Sequence, residues 1–440
     1  MKLDVKTLGT FYELARDGAE LGARRLAPVT DLDTRVTITR LHFTSWSGIV
    51  NELDDGTEKI AVRVELDGGL AGKSLIVFDY DAAIAVAEKL VSDFPRDERG
   101  EISRSAIVEV SQMMLSGFVD EWADALDAHI DISAPEFATG TEPSAILDDP
   151  VSGTETETDT DEGDDAPSDD ELALVFRSQL TAVGSEIGFK HYLIPDQEQM
   201  AALVEERTDD ATGIEHRKLY RFDRMAQEGA TEAAANLTKM TGMDVQVDIR
   251  RINFVSLDAI PRGIPNEPQL SVAFSFDGTP SGYLLFLFDE ESASELVTAA
   301  MGPVDGDGDE IGHDAIQELS NIMASGMLDG WANLLDSTIN HSTPAFTHDM
   351  GAAVVDPLIV GLGYDQSFAF VFDTRIRGVE TAFDVQIYII PDEDDLQAAL
   401  RQLDREAGEA STTAEFVFGE FEQYEFDPAS FLDIDEVTEL

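Results

Sequence analysis

Short apolar runs, each broken by an acidic turn and followed by a helical stretch, recur along this chain. YLLFLF at 283–288 leads through DEE into an amphipathic segment ending near 300, and SLIVFD at 74–79 leads the same way into 80–91. Runs of this length, bounded by turn residues, predict buried strands, and the segments after them carry apolar residues at helical spacing. Two further stretches, VQVDIRRINFVSL (245–257) and QLSVAFSFDG (269–278), alternate as half-buried strands do. The order in each half reads helix, strands, strand–turn–helix, long helix, strands, helix. Long helices interleaved with hairpin-like strands predict an α+β fold, with helices packed on a largely antiparallel sheet.

The halves are copies. FVDEWADALDAHIDISAPEF (118–137) matches MLDGWANLLDSTINHSTPAF (327–346), each with a Trp and a Pro-x-Phe ending, and FKHYLIPDQEQMAALVEE (189–206) matches VQIYIIPDEDDLQAALRQ (385–402). The repeat offset is 209 across the helices and falls to 196 after the proline turns. That deficit locates an insertion in the first copy, the acidic run at 146–171, whose few apolar residues cannot offset the entropy of ordering it. The expected organisation is a first domain over 1–206, with a disordered insertion at 146–171, a second over 213–404, and an acidic, aromatic tail over 405–440. The linker is expected near 206–216.

Charge sharpens this picture. Eighty-nine acidic against 29 basic side chains give −60, with acid spread through every segment, while a hydrophobic content of 43% is normal for a folded chain. Such a surface repels nucleic acid and anionic membrane and suits a high-salt cytoplasm, where counter-ions screen the self-repulsion. No cysteine is present, so disulfide and thiolate-metal chemistry are excluded. The first residues lack an apolar signal core, and the longest apolar runs have strand length, so a cytoplasmic protein is expected. None of the seven histidines (42, 129, 191, 216, 313, 341, 348) forms a close ligand pair in sequence, and GPVDGDGDE (302–310) reads as an acidic turn. Neither a metal nor a cofactor is expected on this chain.

One helix carries polar residues in an unusual order. In DAIQELSNIMASG (314–326), Asp314, Glu318, Asn321 and Ser325 fall within a narrow arc, opposite Ile316, Leu319, Met323 and Met327. The first copy, SAIVEVSQMMLSG (105–117), repeats the stripe as Ser105, Glu109, Gln112 and Ser116. Asp314 and Ser105 are expected to cap their helices. An isolated Glu-x-x-Asn is most often a solvated helix face. Here, however, the amide is followed at the same distance by a proline in both copies, Pro344 after Asn321 and Pro135 after Gln112.

This spaced pattern, Asp/Ser-x3-Glu-x2-Asn-x22-Pro, resembles the signature of the CheC-type phosphatases of bacterial and archaeal chemotaxis, relatives of CheX and of the FliY switch proteins. The second copy matches throughout, and the first departs only at Gln112. The resemblance implies two tandem CheC-like domains in a chain from a halophilic archaeon, and hydrolysis of the phospho-aspartate of the response regulator CheY. On that reading Asn321 positions the attacking water and Glu318 grips the partner. Glu109 and Gln112 form an edited second site, while Asp314, Pro344, Ser105 and Pro135 are supporting positions. The Mg2+ of the reaction belongs to CheY. Family members often carry a further Glu-x-x-Asn pair on the first helix, and the corresponding positions here, Glu13 with Arg16 and Arg224 with Gln227, lack it. The alternative is a non-catalytic chemotaxis module: a phospho-CheY sink, or an adaptor binding CheY, CheD or the motility switch.

Overall fold

The computed structural model describes residues 2–3, 5–30, 32–44, 46–91, 99–147, 173–184, 187–207, 214–301, 309–335, 337–362, 366–379, 383–392, 394–396 and 398–399. Most of the expected insertion (148–172), the centre of the expected linker (208–213) and the whole tail (405–440) therefore lie outside the described residues. In the first half β1 (Lys2–Leu3) precedes α1 (Val5–Thr30), β2 (Thr34–Thr44), α2 (Trp46–Leu53), β3 (Lys59–Gly68), β4 (Gly72–Asp79) and α3 (Tyr80–Val91). The motif helix α4 (Arg99–Leu126) follows, then β5 (Ile130–Ile132), β6 (Glu136–Gly140), α5 (Pro143–Leu147), β7 (Ala173–Ala182), β8 (Gly188–Pro195) and α6 (Gln197–Arg207). The second half repeats the order with β9 (Ile214–Glu215), α7 (His216–Thr241), β10 (Val245–Ser256), β11 (Pro268–Asp277), β12 (Gly282–Asp289) and α8 (Glu290–Met301). Its motif helix α9 (Asp309–Leu334) leads to β13 (Asn340–His341), β14 (Ala345–Met350), α10 (Asp356–Leu362), β15 (Phe368–Gly378) and β16 (Asp384–Pro391). The α+β expectation holds, and every strand pairing is antiparallel among the described residues.

Strand pairing refines the repeat. Lys59 faces Asp79 across β3 and β4, as Gln269 faces Asp289 across β11 and β12, so these hairpins correspond at an offset of 210. The offset of 209 holds for the motif helices, where Trp122 packs on Phe176 and Trp331 on Phe372. Ile146 and Leu147, which the sequence reading put at the head of the insertion, are buried in α5 against Ile49, Leu53 and Val175. Two consecutive branched apolar residues close that core before the acidic run begins.

The halves share one sheet. Edge strands of the two copies, β2 and β10, pair through Phe43–Ile252, His42–Asn253 and Leu41–Phe254, which makes a continuous 14-stranded sheet. Residues directly opposite in an antiparallel ladder point to the same side. Phe176, Leu41, Phe254 and Phe370 are successive partners across the seam, and Phe372 follows Phe370 by two. Trp122 and Trp331, seated on Phe176 and Phe372, therefore lie on one face of the sheet. Both motif helices face the same way.

Buried charge lies on the other face of the seam. Arg177 meets Glu52 at 2.8 Å, Tyr192 donates to Glu52 at 3.0 Å, and Arg40 from the first half approaches Asp373 from the second at 3.4 Å. Each ion is paired in this poorly hydrated setting, so removing one partner strands the other. Among the described residues no helix is long and apolar enough to cross a membrane.

On the motif side, each long helix lies against the first helix of its half at glycine contacts. A Cβ added at Gly117 of α4 would lie 2.9 Å from the Cα of Gly22 in α1, and one added at Gly229 of α7 would lie 2.8 Å from the carbonyl oxygen of Met327 in α9. The order of contacts, Gly22 with Met114 and Gly18 with Phe118 and Glu121, shows that the pair runs antiparallel. Gly117→Ala and Gly229→Ala are expected to lower unfolding free energy by roughly 1–3 kcal/mol through overpacking. Gly312→Ala, where no atom would lie within 4 Å of the new Cβ, should be neutral or stabilising by up to about 1 kcal/mol. Denaturant titration in molar potassium chloride measures all three.

Candidate functional site

The polar stripe rests on a helix whose other side is core. Ile316, Leu319, Met323 and Met327 are buried, as are Val110, Met114 and Phe118 in the first half. On the outer side of α9, Asp314 and Glu318 are exposed and Asn321 is half-buried. Ser325 is held twice: its hydroxyl lies 2.9 Å from the Asn321 carbonyl oxygen and 3.1 Å from His341 Nε2. On α4, Ser105, Glu109 and Gln112 are exposed, and the Ser116 hydroxyl donates to the Gln112 carbonyl at 2.8 Å. Among the described residues the side chains of Glu109, Gln112, Glu318 and Asn321 have no hydrogen-bond or ion-pair partner. The carboxylate and the amide stand one turn apart with their polar atoms free for an incoming molecule.

Asp314 and Ser105 do not cap. α9 begins at Asp309 and α4 at Arg99, so both residues sit in the second turn. Acidic residues at 309 and 310 suit the positive end of the helix dipole and carry the helix start upstream. The expected acidic turn at 302–310 has its first seven residues outside the described set, and the last two are helical.

The prolines have a clear local role. Pro344 lies between β13 and β14, two segments that pair with β11 at different places. Pairing is interrupted there by a serine that replaces ladder contacts: Ser342 N–H donates to the Ser275 carbonyl at 2.8 Å, and its hydroxyl accepts from Ser275 N–H at 3.1 Å. Ser133 does the same to Glu65 in the first half, both at 2.9 Å, two residues before Pro135. Proline, which has no N–H to offer, is tolerated at such a break in an edge strand. Two residues further on, Phe346 packs against His313 at 4.4 Å between ring centres, and Phe137 lies under the Arg104 guanidinium at 4.6 Å. The residue immediately before Asp314 or Ser105 is thereby tied to the strand beyond the proline. The Ser-x-Pro-x-Phe string stands twice in the sequence, and its serine is the signal for the mended break.

The first-helix positions differ between the halves. Glu13 is taken up by an ion pair with Arg16 on its own helix. In the second half the equivalents on α7 are Arg224, whose side chain lies outside the described residues, and Gln227. Because each helix pair is antiparallel, positions 13 and 112 lie on opposite sides of the Gly22–Gly117 contact, separated by about 20 Å along the axes.

Sequence spacing missed one histidine pair. His313 and His348 approach to 6.2 Å between ring centres beside a groove of about 300 Å³, and His348 Nε2 lies 3.0 Å from Glu290. Among the described residues no group of three or more His, Asp or Glu is placed to hold a metal ion.

Beneath α4, His191 stacks on Phe118 at 3.5 Å and meets the Ser74 hydroxyl at 2.8 Å. Burial pushes its imidazole down to about 3. Its value in the unfolded chain is ~6.5, so on acidification the unfolded state takes the proton first and stability falls below that pH. Replacing it with the residue found at the equivalent strand position, His191→Ile after Ile387, is expected to remove a stability slope that grows from about 0.7 kcal/mol per pH unit at pH 6.5 to about 1.3 at pH 5. Chemical denaturation across that range checks it.

Known proteins can be set beside this geometry. The model of the CheC-like family matches residues 311–348. A protein of Halobacterium salinarum named "Putative CheY-P phosphatase CheC1" is 33% identical over 189 residues, covering 41% of this chain and 94% of that protein. The "CheY-P phosphatase CheC" of Bacillus subtilis is 22% identical over 194 residues, covering 42% of this chain and 93% of its own. Among solved structures, Thermotoga maritima FliY overlays with a TM-score of 0.34 at 19% identity, over 47% of this chain and 100% of its own.

Proposed function

The chain belongs to the CheC-like family of chemotaxis proteins, and on that premise we propose that it hydrolyses the phospho-aspartate of a CheY-type response regulator at α9. The observation that carries this reading is the pairing of Glu318 and Asn321, without side-chain partners among the described residues, one turn apart on a helix whose opposite side is core. Water attacks phosphorus, the bond from phosphorus to the aspartyl oxygen breaks, and inorganic phosphate and the free carboxylate leave. Positioning and charge stabilisation dominate such a step, so a strong base is not required. The Asn321 carboxamide suits it: its oxygen accepts a hydrogen bond from the attacking water while its NH2 donates to a phosphoryl oxygen. Glu318 grips a lysine of the partner, a pairing that contributes on the order of 1–3 kcal/mol when partly desolvated. The Mg2+ of the reaction sits on the regulator, and this chain supplies neither metal nor cofactor.

In this reading the first half binds more than it turns over. Glu109 and Gln112 are presented as openly as their counterparts, but Gln112 carries one more methylene, which moves its amide by roughly 1.5 Å. A displacement of about 1 Å can cost ~100-fold in rate. Glu13 is occupied by Arg16, which removes it as a grip for a partner's lysine.

Phosphate release from phosphorylated CheY in molar potassium chloride tests the assignment. Asn321→Ala is expected to lower the rate about 100-fold or more, Glu318→Ala to weaken binding by roughly 10- to 100-fold, and Gln112→Ala to leave most of the activity. Turnover at trace amounts of protein supports catalysis, whereas an effect seen only near equimolar protein identifies a sink. Loss of activity in Gln112→Ala, with Asn321→Ala spared, would overturn the assignment of the site to α9.

A further inference from the structure

We propose that the first half carries a second, separate site, a pocket for a small organic carboxylate formed by Lys190, Lys59, Gln179 and Thr181. The chain has only eight lysines among 440 residues, and two of them line one cavity of about 250 Å³. Lysine is scarce in this acidic chain, so two at one pocket stand out from the general charge pattern.

Register explains how they converge. Lys190 on β8 is paired with Gln179 on β7 and with Val77 on β4, and Lys59 lies one strand further across, paired with Asp79. The neighbouring His191 points to α4, so Lys190 points to the opposite face of the sheet, away from the motif helix. Leu53 at the end of α2 and Val77, which pairs with Lys190, contribute apolar wall.

The two ammonium groups are not equivalent. Lys59 is satisfied, with Asp55 at 2.5 Å, Thr57 at 2.6 Å and Asp79 at 2.6 Å. Lys190 has no hydrogen-bond or ion-pair partner among the described residues. Burial holds it down to about 8; Arg177 and Lys59 push in the same direction, while Glu52 and Asp79 oppose them. A bound anion would supply the partner this group lacks.

The lining limits which anion fits. One unpaired cation matches one negative charge, and the Asp79 carboxylate in the wall disfavours a dianion. The Gln179 amide and Thr181 hydroxyl can donate to carboxylate oxygens, and Leu53, Val77 and Ala82 can cover a short apolar body. The second half has no such pocket chemistry: Gln386 stands at the position of Lys190 and Gln269 at that of Lys59.

Calorimetric titration of the full chain with butyrate, in molar potassium chloride at pH 8, tests the proposal in two buffers of different ionisation heat. The expected result is saturable binding with net proton uptake, because burial holds the Lys190 ammonium down and a paired anion draws it back up. Lys190→Gln, which installs the residue of the second half, is expected to weaken binding at least tenfold and abolish proton uptake. Thr181→Val, with the lysine intact, should weaken it several-fold and retain uptake. Inorganic phosphate should bind at least tenfold more weakly than butyrate. Absence of saturable butyrate binding, binding without proton uptake, unchanged affinity in Lys190→Gln, or phosphate binding as tight as butyrate would each overturn the proposal.

Discussion

The close approach of two helices at glycine is the constraint on which each half depends. Where Gly22 meets Gly117, and Gly229 meets Met327, the backbones lie too close for a side chain to intervene. Only at that separation does each motif helix lie on its first helix and, through Trp122 or Trp331, on the sheet. The helix is thus buried along two sides, and what remains outside is the narrow arc that carries Glu318 and Asn321, or Glu109 and Gln112. A polar pair on a lone amphipathic helix would share that helix's freedom. Here it is mounted on a packed layer, the kind of rigid support that positioning chemistry requires.

The seam between the halves adds a second level of order. Only three residue pairs join β2 to β10, yet they extend one sheet across the repeat. The charged network of Glu52, Arg177, Arg40 and Asp373 lies on the face away from the motif helices. Apolar aromatic contacts therefore dominate one side of the junction and paired ions the other. Tyr12 of α1 reaches across it, its ring against Phe368 at 5.5 Å and its hydroxyl 2.9 Å from Ser256.

Much of this was legible in the sequence, and the omissions have physical causes. Alternation in 245–257 and the apolar run at 283–288 identified β10 and β12, because a strand buried on one or both faces must carry that pattern. The stripe from Asp314 to Ser325 was readable since helical periodicity separates core from surface without reference to other elements. The seam was not readable: β2 and β10 carry the same half-buried pattern whether or not they meet. The helix start at Asp309 is not evident from sequence because an acidic, glycine-containing run reads as a turn. Ser133 and Ser342 escaped notice because a serine that mends a broken ladder looks like any loop serine. The convergence of Lys59 and Lys190, 131 positions apart, needs the strand register to be seen.

The two motif helices lie on a common face of one continuous sheet. α1 packs over β2 and β7 and α7 over β10 and β15, next to the seam, while α4 lies over β3 to β5 and α9 over β11 and β13, so the two motif helices occupy the outer positions. Neither can turn away from the other. Duplication within one sheet thus sets two polar stripes of slightly different length, one ending in Gln112 and the other in Asn321, on the same side of a single layer.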